Sequence, residues 1–408
     1  MSSIENFIKQ IQKTTKIKNK NFIDTNNTVI SHHKQILQIF ELAEKEFENT
    51  TFKTTKKENH SVTNNYFSEI PIFIRKQIFN VRNFYSSFEF SINSRNFKIS
   101  FYSQDNFFQD NQKFKLVYII LFVFNYISDN QECSKNLNIN IYLSPLKKTI
   151  PNNQILVKVL DREHINSAFT FNCMTSNEIY IFRQEEWFKC LIHECIHAFG
   201  FDFSQKTSKD NDIYSSKILQ KIFPINFDLS LYEAYTECLA IYLNSLINCY
   251  NNTYKKTSID FFDRVLCKVE NILNKELYFS MFQVAKILNY YSIDYNDIHN
   301  KNNAVLHKYD ENTPVFSYFI IKTILLYHFS DFFNWCIKHN KFILNFKCTN
   351  INKNNKSCNR KIKLFCDFII SKYKNPSFIN DMNDITMIYN NIKNSNQIFK
   401  TLRFSIYG

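Results

Sequence analysis

Residues 187–203 read WFKCLIHECIHAFGFDF and contain two histidines at a spacing that suits metal chemistry. His193 and His197 stand four apart, with Glu194 directly after the first. Residues four apart on a helix lie one above the other. Two imidazoles so placed can donate to a single Zn²⁺ at about 2.1 Å. Glu194 is rotated by about 100°, which is poor for a third ligand but right for holding a metal-bound water. The competing reading is an apolar helix with incidental histidines, because Phe188, Leu191, Ile192, Cys195, Ile196 and Phe199 recur at helical spacing. The H-E-x-x-H pattern arises by chance in roughly one chain in a hundred.

Three neighbouring features weigh against chance. Gly200 is one of only two glycines, the other being Gly408, and it sits where a left-handed residue would end the helix. Glu233 and Glu237 lie four apart in SLYEAYTECLAIYL (230–243). One carboxylate could complete a metal shell while the other accepts a ring N–H from a ligand histidine. Glu233 is the first choice as ligand and Glu237 its rival; alternatively Ser230 and Glu233 form a capping box. Finally, EIYIFR (178–183) reads as a strand just upstream, and a strand edge beside a metal can pair with an extended peptide.

The elements that must position these groups are legible in outline. A helix is expected over 31–49, then a polar linker over 50–65. FEFSINSRNFKISFYS (88–103) alternates on both sides of Asn93–Asn96 and predicts a hairpin. FKLVYIILFVFNYI (114–127) predicts a buried helix, and LNINIYLS (137–144) a strand. The histidine helix is expected at about 185–199. Further helices are expected at 230–249, 259–273, 276–290 and 313–329, the last with Thr313 as N-cap and Pro314 in the first turn. The fold class is α+β, a small mixed or antiparallel sheet backed by a helix and followed by a mostly helical C-terminal half. Four segments are expected: a helical arm and linker (1–85), an α+β unit with the histidine helix (86–205), a helical unit with the third ligand (206–345), and a polar loop with a C-terminal segment (346–408).

HECIH with EAYTE resembles the glutamate-type zincins, the gluzincin metallopeptidases related to thermolysin and neprilysin. The resemblance covers roughly residues 137–245. It implies a zincin-like fold and one Zn²⁺ held by His193, His197 and Glu233. Glu194 would be the catalytic base, and Glu237, in place of the usual aspartate, would support a ligand histidine. NSAFTFNCMTSNEIYIF (166–182) is similar to the segment that holds substrate in that group, which implies contacts from Asn166 and Ala168, although Ser167 separates them. Zincins of this type often stabilise the oxyanion with a histidine or tyrosine from the helical half, which makes His307 and Tyr318 candidates by location; Tyr232 and Tyr235 flank Glu233. The low-glycine, Asn/Lys-rich style around EEWFKCLIHECIHAFG also resembles zincin-like proteins of large nucleocytoplasmic DNA viruses. A metzincin pattern fits only up to Gly200: the position of its last histidine is Phe203, with Asp202 one residue off.

Composition narrows the rest. Two glycines cannot make a P-loop, a dinucleotide fingerprint or a G-x-S-x-G elbow. The net charge of +13 concentrates in KTTKIKNK (13–20), KTTKKENH (53–60) and NKNNKSCNRKIK (352–363), which allows weak polyanion binding but also fits solvated faces. Eleven scattered cysteines without C-x-x-C spacing, and an N-terminus without an apolar signal core, suggest reduced thiols in an intracellular protein, in host cytoplasm or virion, not a secreted one. The longest apolar run, VYIILFVF (117–124), is too short to span a membrane. The expected function is zinc-dependent hydrolysis of peptide or protein substrates. The alternative is a catalytically silent zincin-fold structural or virion protein that binds nucleic acid or protein through its basic surface.

Overall fold

The computed structural model describes residues 3–24, 26–58, 70–78, 81, 84–104, 111–151, 159–204, 208–254, 256–346, 356–392 and 397–407. Its elements, in chain order, are α1 (Ser3–Thr14), α2 (Asn27–Asn49), β1 (Lys53–Glu58), α3 (Ile72–Ile78), β2 (Phe84–Ile92), β3 (Arg95–Ser103), α4 (Asn111–Ile127), β4 (Asn136–Tyr142), α5 (Arg162–Ile165), β5 (Ala168–Thr170), β6 (Ser176–Ile181), α6 (Trp187–Ala198), α7 (Ser208–Leu219), α8 (Leu231–Asn251) and α9 (Phe261–Tyr290). There follow α10 (Tyr295–His299), α11 (Ala304–Lys308), a π-helical turn (Phe316–Ile321), α12 (Lys322–Tyr327), α13 (Phe329–His339), α14 (Lys356–Lys372), α15 (Pro376–Asn391) and α16 (Gln397–Lys400). The protein is mixed α+β, with a six-stranded sheet and a mostly helical C-terminal half.

The hairpin forms where alternation predicts it. β2 and β3 pair antiparallel with Ile92 opposite Arg95. Asn93 takes the positive φ, 53°, that a two-residue turn demands. The helix α4 then carries the chain back, so that β4 lies parallel to β3. This helix is apolar on nearly every side because it is enclosed; Val117, Leu121 and Phe124 are fully buried. β6 joins parallel to β4, and β5 turns back antiparallel on β6, giving the order β1-β2-β3-β4-β6-β5. On one face the sheet meets α4 and α6. On the other, Ile70, Ile74, Ile78 and Val81 pack on Tyr85, Tyr102, Tyr142 and Tyr180.

Several expectations needed revision. The stretch read as a linker at 50–65 contributes β1 over Lys53–Glu58, paired antiparallel with β2; residues 59–65 lie outside the described ones. β1 is a sheet edge rich in lysine, and that charge hides its strand character from a reading based on polarity while protecting the edge from pairing with other chains. The two helices expected at 259–273 and 276–290 are one, α9, of 30 residues. Thr313 does not cap a helix: its hydroxyl donates to Asn166 Oδ1 at 2.8 Å, and a π-helical turn follows at Phe316–Ile321. Beyond 346 the chain is not merely a loop and a short segment, because α14 and α15 pack there. Strand EIYIFR is not the sheet edge; β6 is paired on both sides and β5 is the edge. Cys133 and Cys173 form a disulfide and Cys358 is disulfide-bonded too, so the thiols are not all reduced. Cys190 and Cys238 are free and buried, as small apolar side chains. The four segments expected from the sequence share one apolar core, which runs from Ile4 to Ile406.

Candidate metal centre

Two helices supply the centre. α6 starts after the loop that follows β6 and buries every residue from Trp187 to Ala198, His193, Glu194 and His197 among them. Its start is set by Glu186 in the left-handed region, φ 58°. Its end is set by Gly200, φ +69°, whose N–H donates to His197 O while Phe201 N–H donates to Ile196 O. That is the helix-ending geometry in which glycine pays no steric cost. A Cβ on Gly200 would also meet Cys133 Sγ at 3.3 Å. α8 crosses against α6 and presents Glu233 and Glu237 from its first turns.

The expected side chains converge. His193 Nε2 lies 3.0 Å from His197 Nε2 and 3.0 Å from Glu233 Oε2; His197 Nε2 lies 3.3 Å from the same oxygen. Tetrahedral ligands at zinc distances stand about 3.3 Å apart, so these three atoms match a metal shell. The remaining ring nitrogens are held from behind. Glu237 Oε2 takes the Nδ1 of His193 at 2.9 Å, and Asp202 Oδ2 takes the Nδ1 of His197. With a cation bound and both Nδ1 protons committed to the carboxylates, both Nε2 atoms could turn their lone pairs to it beside the Glu233 oxygen. Three converging electron-pair donors fit a cation. Ser230 makes no side-chain cap to α8, so Glu233 is not in a capping box.

Electrostatics follow from burial and pairing. Burial alone would lower the pKa of both histidines, but hydrogen bonds to Glu233 and Glu237 raise His193, and the charges of Asp202 and Glu233 raise His197 well above the ordinary value. Burial would raise Glu233, yet the charge of His197 and hydrogen bonds from both rings bring it down to about 2. Glu237 is likewise held low against burial, first by Lys189, whose Nζ reaches both its oxygens at 2.7 and 2.8 Å. Glu194 is pushed up by burial, against the charges of His193 and His197.

Asn166 and Ala168 line a cleft of about 450 Å³ together with Phe169, Thr170, Tyr232, Glu233 and Tyr318. Tyr318 is brought there by the π-helical turn, its ring 6.1 Å from that of His193. His307 is not at the centre: it is exposed on α11 and lines neither this cleft nor the smaller cavity beside Glu194. Tyr232 stands 5.8 Å from the ring of His197, whereas Tyr235 is a core residue whose hydroxyl donates to Leu344 O. Phe203 packs on Phe346 in the core, and Asp202 supports His197 from behind, which leaves the metzincin pattern without a third ligand of its own. Sequence reasoning missed the support from Asp202 and Lys189. Lys189 was in principle visible, since it lies four residues before His193 on the same face.

Part of the chain has a relative. It is similar to a viral protein. Over 187 residues it is 31% identical to "Uncharacterized protein R210" of Acanthamoeba polyphaga mimivirus, which spans 44% of this chain and 45% of that protein. No family model and no solved structure matches. Among the described residues, no helix is long and apolar enough to cross a membrane.

Proposed function

We propose that the protein is a zinc-dependent metallopeptidase of gluzincin type. The observation that carries this reading is the convergence of His193, His197 and Glu233, with each histidine backed by a carboxylate. A purely structural site would not require Glu194 beside it. When bound, zinc would polarise the scissile carbonyl and acidify a water. Glu194 would take the proton of the attacking water and later hand it to the leaving amine. The edge strand β5 offers backbone groups to an extended peptide lying in the cleft. Tyr318, at the cleft wall, is the candidate donor to the carbonyl oxygen as charge develops there; His307, exposed on α11, does not line the cleft.

The test joins metal content with hydrolysis. Purified, metal-replete protein should hold about one zinc per chain and cleave unstructured peptides. Absence of zinc would sink the reading. Zinc without cleavage would favour a catalytically silent zincin-like virion or structural protein.

A further inference from the structure

The end of α6 is tied to two segments from outside the helix, and a disulfide joins those segments to each other. Cys133, in the connection between α4 and β4, is bridged to Cys173, in the turn between β5 and β6. Around the bridge, Cys173 N–H donates to His197 O at 3.3 Å, Ser134 Oγ to Ala198 O at 2.8 Å and Ser134 N–H to Met174 O at 2.7 Å. Asn172, next to the bridged cysteine, donates from its side-chain amide to Asp202 Oδ1 at 3.2 Å and to Ser204 Oγ. Asp202 is buried, and its other oxygen takes the Nδ1 of His197. An unbroken path of contacts therefore runs from the disulfide through Asn172 and Asp202 to a metal-facing ring. Cys173 holds φ 46°, in the left-handed region that side chains with a Cβ avoid. The joined segments are already hydrogen-bonded, since Asn136 N–H donates to Thr175 O at 3.0 Å and β4 lies beside β6. Opening the bridge would thus free the turn without unpairing the sheet. Cys133 is buried, but Cys173 is partly exposed and Met174 beside it is 40% exposed, so a reductant can reach the bridge.

We propose that the Cys133–Cys173 disulfide is a redox switch on the metal centre, with Asn172 as the positioning residue that transmits its state. Closed, the bridge holds Asn172 against Asp202 and so keeps the His197 ring in its metal-binding orientation. Opened, it weakens zinc binding. The inference rests on the metal-binding part of the proposed function and not on hydrolysis. The step is a thiol–disulfide exchange: a dithiol supplies two electrons and two protons, becomes a disulfide itself and leaves Cys133 and Cys173 as thiols. Cys173 is then able to leave the left-handed region, and Asn172 moves with it. Asp202 keeps its hydrogen bonds from Ser204 and Thr236, so the ring is loosened rather than released. The switch therefore grades zinc affinity instead of abolishing it.

The experiment measures zinc affinity by competition with a chromophoric chelator, on oxidised protein and on protein reduced with dithiothreitol and freed of it under argon. Reduction should weaken binding by at least about fivefold, short of the roughly 10–100-fold that follows loss of an orienting carboxylate itself. Thermal melts check that the reduced protein is folded at the assay temperature; unfolding there overturns the proposal in favour of a structural staple. Cys358 is bridged too, so the double variant Cys133→Ser, Cys173→Ser assigns the effect. It should bind zinc as weakly as reduced wild type and not respond to dithiothreitol. Asn172→Ala, with the disulfide intact, should be weakened to a similar degree and lose little more on reduction, because both changes act along one path. Equal affinity of the two redox forms, a double variant that still responds, or an Asn172→Ala protein as tight as wild type overturns the switch. If oxidised wild type holds no zinc, the metal reading fails separately, and the His197 ring decides. Its proton resonances in metal-free protein, assigned by their absence in His197→Gln, should shift on reduction and in Asn172→Ala; unmoved resonances overturn the proposal.

Discussion

Glu194 is a buried carboxylate and Glu233 a partly exposed one, both beside the histidine pair, yet their chemistry differs. Glu194→Gln keeps size but cannot take a proton. Zinc content should stay near that of wild type while hydrolysis falls at least about a hundredfold, the scale of general-base loss. Glu233→Gln should instead lose zinc, because a neutral amide oxygen is a poor substitute for a carboxylate ligand. Elemental analysis and one peptide assay on both variants separate base from ligand; zinc lost from Glu194→Gln would reverse the assignment. Behind the ligands, Glu237→Gln should weaken zinc binding by about 10–100-fold, the usual effect of removing a carboxylate that orients a histidine ligand. Competition with a chromophoric chelator measures it. In the metal-free protein both histidines hold protons more tightly than usual. Zinc must displace those protons, so affinity should rise with pH and fall on acidification, with proton release readable in weakly buffered solution.

At the scale of elements, the end of α6 decides whether the histidines stay in place. The Cys173 N–H donates to His197 O at 3.3 Å, and the Cys133–Cys173 disulfide packs where a side chain on Gly200 would go. Gly200→Ala would place a Cβ in a left-handed conformation, at a cost of about 1–2 kcal/mol from backbone sterics alone. A lower melting temperature with weaker zinc retention is the expected result. The disulfide closes a sequence separation of 40 residues, and its removal by paired serine substitutions should cost about 3–4 kcal/mol on the chain-entropy model. Denaturant unfolding of that variant in comparison with wild type checks the figure; an unchanged midpoint would mean the bridge contributes nothing. The π-helical turn at Phe316–Ile321 has a local purpose as well, since a residue inserted into the helical ladder rotates Tyr318 into the cleft wall.

Across the whole molecule, the segment 397–407 threads beneath the centre, and buried side chains hold its backbone. Glu276 accepts from Ile406 N–H, Lys286 donates to Thr401 O, and Gln283 to Arg403 O. A distant buried group sets a pH dependence. His33 stacks on Phe333 at 4.0 Å and contacts the Tyr242 hydroxyl at 2.7 Å; burial lowers its pKa to about 3. Its folded pKa lies below the unfolded value of about 6.5, so this contribution is complete above that value. It is lost as pH falls from about 6.5 towards 3, by up to about 1.4 kcal/mol per pH unit. His33→Gln should be less stable at neutral pH but flatter over that window, as read from urea midpoints at several pH values; parallel slopes would refute the assignment. The net charge of +13 should give at most weak DNA binding that fades steeply with salt, testable by fluorescence anisotropy.

The sequence alone determined what depends on short spacing and local period. Four-residue separations placed His193 over His197 and Glu233 over Glu237, because helical geometry converts spacing directly into a shared face. The same locality made the hairpin around Asn93, the buried helix 114–127 and the strand at 137–144 readable. Tertiary structure decided which partners meet across long separations. Nothing in the local pattern says that Glu233, rather than Glu237, lies 3.0 Å from His193 Nε2, or that Asp202 backs His197. The angle between α6 and α8 does. Likewise, the polar residues 53–58 became a strand only because β2 had an open edge to pair with. Lys148 and Ser167 lie on segments outside α6, and only packing shows that they line one cavity with Glu194.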